Sequence, residues 1–360
     1  MSASTNHLVS LAVVLVTAIP LSVGCGAAQK GPGVEAAELP SRVVRARGGT
    51  ALERQAFVSE LAAADAVCVG ETHSNPHDHW VQLGILKDLG ALGGKGRGVG
   101  FEMFQQPFQG VLDDWLRGAI TEEQLLTRTG WQKRWGFDFA LYRPLLVEAR
   151  NSGMDLVALR ISDEDKEKFK KASEGERKNG AFPEIDLGNK AHRDWFWQQM
   201  GGHSHGARTH GKGKEENHHH PHDDDSAEGD GHDAEGKATD DPHHGVPGAP
   251  PLHGSHEPAK PVKDDPIEKM YAVQVLWDES MADASAKWLA AQPGRKLVII
   301  AGKGHCHDSA IVGRLKRRGD YKVVSVQPVI DDGKGNVAAL LAAPLNDYLI
   351  IMRPPARSSD

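Results

Sequence analysis

The sequence has few cysteines and no excess of positive charge. Its 360 residues include three cysteines, Cys25, Cys68 and Cys306, which are too few and too far apart for the disulfide framework of a small secreted domain. Lys and Arg number 42, Asp and Glu number 49, and the net charge is −7. Because nucleic-acid phosphates are bound by basic faces, this balance argues against nucleic acid as a partner.

The first 25 residues have the pattern of a lipoprotein signal peptide. Residues 8–23 form an apolar run that is shorter than the roughly 20 residues needed to span a membrane. Small residues and then Cys25 follow this run, as in a bacterial lipobox. No Lys or Arg precedes the run, and Ser22 stands where a lipobox usually has Leu, so simple secretion and a retained anchor are the alternatives. We expect lipidation of Cys25, a place in the cell envelope at the outer membrane, and a flexible tether over 26–40.

Residues 201–264 differ in composition from the rest of the chain. They contain 12 of the 19 histidines and no Phe, Tyr or Trp. A segment with so little apolar surface cannot offset its ordering entropy, so we predict a disordered insert. Its imidazoles and carboxylates, dense over 218–225, indicate either loose binding of Zn, Ni or Cu or a solubilising spacer. The flanking segments, 41–200 and 265–354, are long enough for one domain.

Apolar, β-branched runs alternate with helical patterns in these two segments. The predicted strands are 65–70, 98–104, 155–160, 296–301, 322–329 and 348–352. The predicted helices are 51–63, 77–89, 105–117, 121–128, 140–152, 188–200, 266–292 and 309–318. This alternation predicts an α/β fold with a mostly parallel central sheet flanked by helices and a helical subdomain. The connection over 331–346 has no clear pattern, so an antiparallel last strand is an alternative.

Charged and polar residues follow most of the predicted strands. The carboxyl ends of parallel strands lie at one edge of a sheet, here called the rim, and ligands of open α/β sheets bind there. The residues expected at the rim are Glu71, His73, Glu102, Arg160, Asp163, His305 and His307. Their recurrence at successive strand ends predicts a functional site.

Two Gly-x-x-His motifs, which end at His73 and His305, each follow a predicted strand. Glycine at a strand exit allows the backbone to approach a ligand closely. Glu102 lies within an apolar strand and therefore requires a partner. One interpretation makes His73, His305 and Glu102 the ligands of a divalent metal such as Zn, Mn or Ni. Another makes the same residues and Glu71 catalytic acids and bases, and a third gives them only structural roles.

Further candidates lie beside the first motif and in an aromatic segment over 131–153. Asn75 is a predicted helix N-cap, which places His77 in the first turn of a helix and leaves open whether His79 points toward the rim or the core. The aromatic segment is interpreted either as a core between helices or as the wall of an apolar pocket with Tyr142 and Arg143 as its polar groups. The candidate cofactor-binding residues are Tyr142, Arg143, His77, His79 and His307.

The remaining cysteines are interpreted separately. Cys68 lies in the middle of a predicted strand and is expected in the core. Cys306, between two histidines, is interpreted either as a soft metal ligand or as a packing residue.

Taken together, these segments resemble the ChaN family of haem-binding lipoproteins. The resemblance covers 65–165 and 266–330 and depends on four stretches in the family's order. They are GETHSNPHDHW, GVGFEMFQQPFQGVLDDWLRG, the aromatic segment that begins at Trp131, and IIAGKGHCHDSAIVGRL. The ChaN family is similar to a wider superfamily that includes erythromycin esterases and TIKI/TraB proteins. Paired Gly-x-x-His motifs and glutamates at strand ends are typical of that superfamily. The His-rich insert has no counterpart in the family's common core.

The resemblance implies two different functions. As a ChaN-like protein, the chain is expected to bind haem between two subunits of a homodimer and to act in haem or iron acquisition at the envelope. Tyr142 is then the candidate iron ligand, since tyrosine phenolates ligate haem iron. As a relative of the enzymes, it is expected to be a hydrolase that uses Glu71, His73, Glu102 and His305, with a histidine activating water directly or through a divalent ion.

Overall fold

The computed structural model describes residues 39–177, 179–180, 182–200 and 266–354. The predicted signal peptide, lipidation at Cys25, the tether up to residue 38 and the His-rich insert lie outside the described residues and stay predictions. Within the described residues, no helix is both long enough and apolar enough to cross a membrane.

The described residues form eight strands and twelve α-helices. The strands are β1 (Ser41–Arg45), β2 (Ala51–Leu52), β3 (Ala66–Glu71), β4 (Arg97–Gln105), β5 (Asp155–Arg160), β6 (Lys296–Gly302), β7 (Val323–Ile330) and β8 (Tyr348–Met352). The helices are α1 (Arg54–Ala63), α2 (Pro76–Ala91), α3 (Gln109–Leu116), α4 (Glu122–Thr129), α5 (Trp131–Arg134), α6 (Phe139–Asn151), α7 (Asp163–Lys171), α8 (Glu174–Arg177), α9 (Lys190–Gln199), α10 (Pro266–Ala290), α11 (Ile311–Arg317) and α12 (Asn336–Ala342).

All eight strands belong to one sheet, in the order β2-β1-β8-β7-β3-β6-β4-β5. The six strands from β8 to β5 in this order are parallel to one another, which confirms the predicted α/β fold. The alternative of an antiparallel last strand is wrong. Helix α12, which the sequence pattern did not indicate, forms the crossover that a parallel β7–β8 pair requires. The antiparallel strands are instead β1 and β2 at one edge, and the sequence pattern missed both.

Strand β3 shows why the central strands are apolar on both faces. All six of its residues are buried. Val67 and Val69 point into one core, and Ala66 and Cys68 point into a second core on the opposite face of the sheet. Successive side chains of a strand alternate between the two faces, so two helical layers demand a continuous apolar run. The charged residue Glu71 can lie only at the strand's end, where the rim begins.

The interpretation of the cysteines is corrected by a disulfide bond between Cys68 and Cys306. The two residues are 238 positions apart in sequence, which made a pairing invisible in the sequence. Strands β3 and β6 are neighbours in the sheet, and the loop after β6 therefore passes over β3. Both cysteines are fully buried. Cys306 is thus not a metal ligand, and Cys68 is a core residue that also forms a cross-link.

At the outer edge of β5, the side chain of Gln109 forms the backbone hydrogen bonds that a further strand would form. Gln109 Oε1 accepts a hydrogen bond from the backbone N–H of Ala158 at 2.8 Å, and Gln109 Nε2 donates to the carbonyl of Leu156 at 2.7 Å. These two bonds imitate the pairing that a neighbouring strand would make. An open edge strand is a template for aggregation, so Gln109 protects the sheet.

We expect Gln109→Ala to expose this edge. The amide of Ala158 should exchange with deuterium faster than in the wild type, and the free energy of unfolding should fall by about 1 to 2 kcal/mol, because two buried backbone groups lose their partners. Hydrogen exchange followed by NMR or mass spectrometry measures the first effect. Gln132→Ala, at an exposed position, is the matched control. Unchanged protection of Ala158 would contradict the role of Gln109.

Candidate functional site

The two Gly-x-x-His motifs lie side by side at the rim. In the β3–β6 pair, Glu71 stands opposite Gly302, and the backbone N–H of Lys303 donates to the carbonyl of Glu71 at 2.7 Å. Each motif begins within the last two residues of its strand. The parallel register of β3 and β6 therefore brings His73 and His305 to the same edge. Glu102 joins them from β4, on the far side of β6.

Glu71 is the centre of the first hydrogen-bonded group. Its Oε1 lies 2.8 Å from His73 Nδ1 and accepts from the Tyr142 hydroxyl at 2.7 Å. Its Oε2 accepts from Gln82 Nε2 at 2.8 Å and lies 3.5 Å from His79 Nδ1. Burial alone would raise the pKa of Glu71, but the charge of His79 and the bonds from His73 and Tyr142 lower it to about 2. Glu71 is therefore an ionised carboxylate that accepts hydrogen bonds from His73, Tyr142 and Gln82.

Tyr142 is fully buried on α6, and its hydroxyl donates to Glu71. Burial and the adjacent carboxylate raise the pKa of Tyr142 well above its usual value. A phenolate at this place would face the negative charge of Glu71. Arg143, the next residue, is half-exposed and pairs with Glu122 at 2.7 Å, so it does not belong to the same group.

The N-terminus of α2 is built as the sequence indicates. Asn75 caps the helix by accepting from the backbone N–H of His77 at 3.0 Å. His79, one turn inward, is buried, and its Nε2 lies 2.9 Å from the carbonyl oxygen of His73. The structure thus brings His79 to the rim group, whereas His77 is partly exposed at the helix start.

Asp78 on the same helix is buried, and its Oδ2 accepts from the backbone N–H of Thr72 at 2.8 Å. Burial raises the pKa of Asp78 to about 6, with the charge of Glu71 acting in the same direction and the Thr72 bond opposing it. Its ordinary value is 3.8. Between pH 3.8 and pH 6 the carboxyl of Asp78 holds its proton more tightly in the folded state than in the unfolded state. The free energy of unfolding that Asp78 contributes is therefore lost as the pH rises through about 6.

We expect Asp78→Asn to remove this pH dependence. Relative to the variant, the free energy of unfolding of the wild type should fall by up to about 3 kcal/mol between pH 4 and pH 7. Urea denaturation of both proteins at the two pH values measures the difference. Asp88→Asn is the matched control, because Asp88 lies on α2 but is partly exposed and paired with Arg54. A difference that stays constant between the two pH values would contradict the assignment.

Glu102 and the second histidine meet at Gly302. Glu102 Oε2 accepts from the backbone N–H of Gly302 at 2.7 Å, and Oε1 lies 3.4 Å from His305 Nε2. A Cβ atom on Gly302 would lie 2.9 Å from His73 Cε1 and 3.7 Å from Glu102 Oε2. The glycine is therefore required so that His73 can rest against the strand end beside Glu102. Among the rim residues that sequence predicted, Glu71, His73, Glu102 and His305 are brought together.

A second group of buried ionisable residues, which was not predicted from the sequence, lies behind His305. Asp278 on α10 has its Oδ1 2.6 Å from His305 Nδ1 and its Oδ2 3.0 Å from His192 Nε2. Arg314 lies near two carboxylates of this group. Its Nη1 is 3.8 Å from Asp278 Oδ2, and its Nε is 3.2 Å from Glu279 Oε1. Burial would raise the pKa of Asp278, but His305 and Arg314 hold it well below the usual range. The only available signal was the pair of acidic residues on the apolar face of a long helix.

His307 belongs to the edge of this second group. It is buried, and its ring lies 4.4 Å from that of Trp195 and 5.8 Å from that of His192. Burial, with the charge of Arg314 acting in the same direction, lowers the pKa of His307 to about 3, so it is neutral. Arg160 and Asp163, also expected at the rim, form a more exposed group with Arg134.

The aromatic segment forms both a core and a groove. The rings of Trp135 and Phe137 lie 4.7 and 5.0 Å from that of His73. Over the outer side of this layer runs a groove of about 480 Å³, which is within the usual range for small-molecule sites. Its lining consists of Leu126, Thr127, Gly130, Trp131, Gln132, Lys133, Phe137, Asp138 and Phe139. The segment is therefore a core with a groove on its outer side, and the polar groups predicted for an apolar pocket, Tyr142 and Arg143, do not line this groove.

The predicted metal ligands have partners of their own in this arrangement. His73 Nδ1 faces Glu71, and Glu102 Oε2 accepts from Gly302. Across 39–200 and 266–354, apart from the undescribed positions 178 and 181, no group of three or more His, Cys, Asp or Glu side chains is arranged to hold a metal ion. Metal binding at His73, Glu102 and His305 stays a prediction that requires these side chains to rearrange.

Fold and site define an α/β protein whose sheet rim carries two histidine–carboxylate groups beside an aromatic groove. The model of the family described as haem-binding uptake, Tiki superfamily, ChaN matches residues 57–315, and the chain belongs to this family. Among solved structures, it is similar to one described as cofacial heme binding to ChaN of Campylobacter jejuni. The TM-score is 0.58 and the identity 14%, over 87% of this chain and 97% of that one. The comparison with curated proteins finds no match.

Proposed function

We propose that this protein binds haem and that the porphyrin lies in the aromatic groove. The observation that carries the proposal is the groove itself, in a member of a haem-binding family. Phe137 offers partly exposed apolar surface for the macrocycle beside the buried rings of Trp131 and Phe139, and Lys133 at the groove offers a positive charge for a propionate. Such a pocket, apolar with a few polar groups, is the usual form of a cofactor site.

The iron ligand must come from behind or beside this groove. Its lining contains no His, Tyr, Cys or Met. The hydroxyls of all four tyrosines, Tyr142, Tyr271, Tyr321 and Tyr348, already donate to acceptors. We propose His73 and Tyr142 as the candidate ligands, because both lie directly behind the aromatic layer. Ligation by Tyr142 would replace its hydrogen bond to Glu71 by a bond to iron, whereas His73 would ligate through Nε2 and keep its contact with Glu71 at Nδ1.

Haemin titration followed by the Soret band tests this proposal. The twelve histidines of 201–264 should first be replaced by asparagine, since they would bind haemin without selectivity. A saturable band is expected, and Phe137→Ala should weaken binding at least tenfold, whereas Phe182→Ala, which packs in a separate small core, should not. The absence of a saturable band would contradict haem binding. A band unchanged in both Tyr142→Phe and His73→Ala would exclude both candidate ligands.

We further propose that the protein is anchored by Cys25 at the bacterial envelope, where it acts in haem or iron acquisition as a homodimer. The Cys68–Cys306 bond supports export, because disulfides persist in oxidising compartments and are rare in the cytosol. Incorporation of labelled palmitate into the wild type but not into Cys25→Ser is the expected result. Sedimentation with and without haemin tests the homodimer, and a monomer in both states would contradict it.

A hydrolase is the second candidate function. The observation in its favour is that both rim histidines carry a carboxylate at Nδ1, from Glu71 and Asp278, and that His305 Nε2 lies 3.4 Å from Glu102 Oε1. A histidine so oriented can accept a proton from water through Nε2, and Glu102 can transfer it to a leaving group. A screen of esters, amides and peptides, with and without zinc or manganese, tests this. Activity that survives both His73→Ala and Glu102→Ala would exclude this site.

A further inference from the structure

We infer that Asp278 is the positioning residue of His305, as Glu71 is for His73, so that the rim presents two imidazoles through Nε2. Asp278 lies on α10, far in sequence from both Gly-x-x-His motifs, and neither its sequence context nor the family resemblance marked it. The consequence for activity rests on the proposed hydrolase function. The geometric claim does not, and it is tested separately below.

The distances identify Asp278 as the partner of His305 Nδ1. Asp278 Oδ1 lies 2.6 Å from that nitrogen, and both side chains are fully buried. A carboxylate can only accept here, so His305 Nδ1 carries a proton. Gln274 Nε2 lies 3.2 Å from the same nitrogen and would favour the opposite tautomer. The shorter contact with a charged acceptor decides between them.

The second carboxylate oxygen of Asp278, Oδ2, faces His192, and the contacts of His192 show which of its ring nitrogens carries the proton. Arg314 Nη2 lies 3.1 Å from His192 Nδ1, and a guanidinium only donates. His192 Nδ1 is therefore an acceptor, and His192 Nε2, which carries the ring's proton, lies 3.0 Å from Asp278 Oδ2 in a polar contact that is not aligned as a hydrogen bond. Asp278 thus accepts a hydrogen bond from His305 on one oxygen and faces His192 with the other. Only a group with two acceptors satisfies both, and aspartate has them while asparagine does not.

The two histidine–carboxylate pairs converge on the same place. His73 Nδ1 is 2.8 Å from Glu71, and its Nε2 lies 3.2 Å from the position of a Cβ on Gly302. Glu102 Oε2 is 3.7 Å from that position, while Glu102 Oε1 is 3.4 Å from His305 Nε2. The rim therefore directs two nitrogens of the same kind toward one carboxylate. A carboxylate at Nδ1 fixes the ring orientation and raises the basicity of Nε2, for proton transfer or for ligation.

The test is the tautomer of His305 in the full-length protein labelled with ¹⁵N-histidine. Long-range ¹H–¹⁵N correlation identifies which ring nitrogen is protonated, and His305→Gln assigns the signals. The wild type should show His305 protonated at Nδ1. In Asp278→Asn the single amide oxygen is taken by His192, so the amide nitrogen donates to His305 and the proton should move to Nε2.

Glu279→Gln is the matched control. Glu279 is the next residue on α10, is equally buried and pairs with Arg314, Arg317 and Arg318. His305 should stay protonated at Nδ1 in this variant. A wild-type His305 protonated at Nε2 would overturn the inference, and this outcome needs no variant to fold. An equal tautomer change in Glu279→Gln would overturn it as well.

Activity supplies a second, separate readout. With a p-nitrophenyl ester as the probe, Asp278→Asn should lower kcat by about 10²- to 10⁴-fold with little change in KM, because the wrong tautomer cannot accept a proton. If the tautomer moves as expected but the wild type hydrolyses no probe, the hydrolase proposal fails and the positioning role stands. If the wild type is active and Asp278→Asn retains full kcat, the functional part of the inference fails.

Discussion

Removal of the Cys68–Cys306 disulfide is expected to lower the free energy of unfolding by about 3 to 5 kcal/mol. The bond joins residues 238 positions apart, so its loss frees a very long closed loop in the unfolded chain. It also connects β3 to the loop that carries His305, between two fully buried side chains. Urea denaturation of the Cys68→Ala, Cys306→Ala double variant, compared with the wild type, measures the loss.

Reduction distinguishes the cross-link from simple loss of packing. Dithiothreitol should lower the stability of the wild type toward that of the double variant and should leave the double variant unchanged. Cys25→Ser, which keeps the bond, is the matched control and should respond to the reductant as the wild type does. A wild type that is equally stable with and without reductant, although mass spectrometry shows two free thiols, would contradict the expected contribution.

Replacement of Arg314 by methionine is expected to cost about 3 to 5 kcal/mol of stability. Arg314 is 1% exposed and donates to His192 and to the carbonyl of Ser309. It also lies 3.2 Å from Glu279 and 3.8 Å from Asp278. Its removal leaves two buried carboxylates short of a positive charge, and a buried ion that loses its partner is strongly destabilising.

Arg317→Met is the matched control for this effect. Arg317 also pairs with Glu279, at 2.9 Å, but its side chain is 36% exposed. A partly exposed ion pair contributes little, so the variant should lose about 1 kcal/mol or less. Chemical denaturation of the two variants gives the comparison. Equal losses in both would show that burial does not set the cost of this group.

The strands could be predicted from the sequence because their pattern is local. Strands buried between two helical layers must be apolar at every position, so the runs at 65–70, 155–160 and 296–301 stand out from their surroundings. Each of these three boundaries agrees with the structure to within one residue. Strand β1 was missed since it lies at the antiparallel edge, where exposed residues interrupt the pattern. Helix α12 is short and carries no capping side chain, and it was missed as well.

The candidate site was predictable in part, for a similar reason. Gly70 to His73 and Gly302 to His305 each combine a strand exit with a polar residue, and both signals lie within a few positions of each other. Glu102 was recognisable as a charge in an apolar run. Asp278 gave no such signal, because an acidic residue on a long helix usually faces solvent.

By itself, the sequence determined the alternation of strands and helices, the rim as the place of the site, and the resemblance that led to the family. These follow from patterns within short segments and from the side-chain periods of helices and strands. The tertiary structure alone decided that Cys68 bonds to Cys306, that Tyr142 donates to Glu71, and that Asp278 holds His305. Each of these pairs depends on the order of strands in the sheet and on which helix covers which face, and no local pattern encodes either.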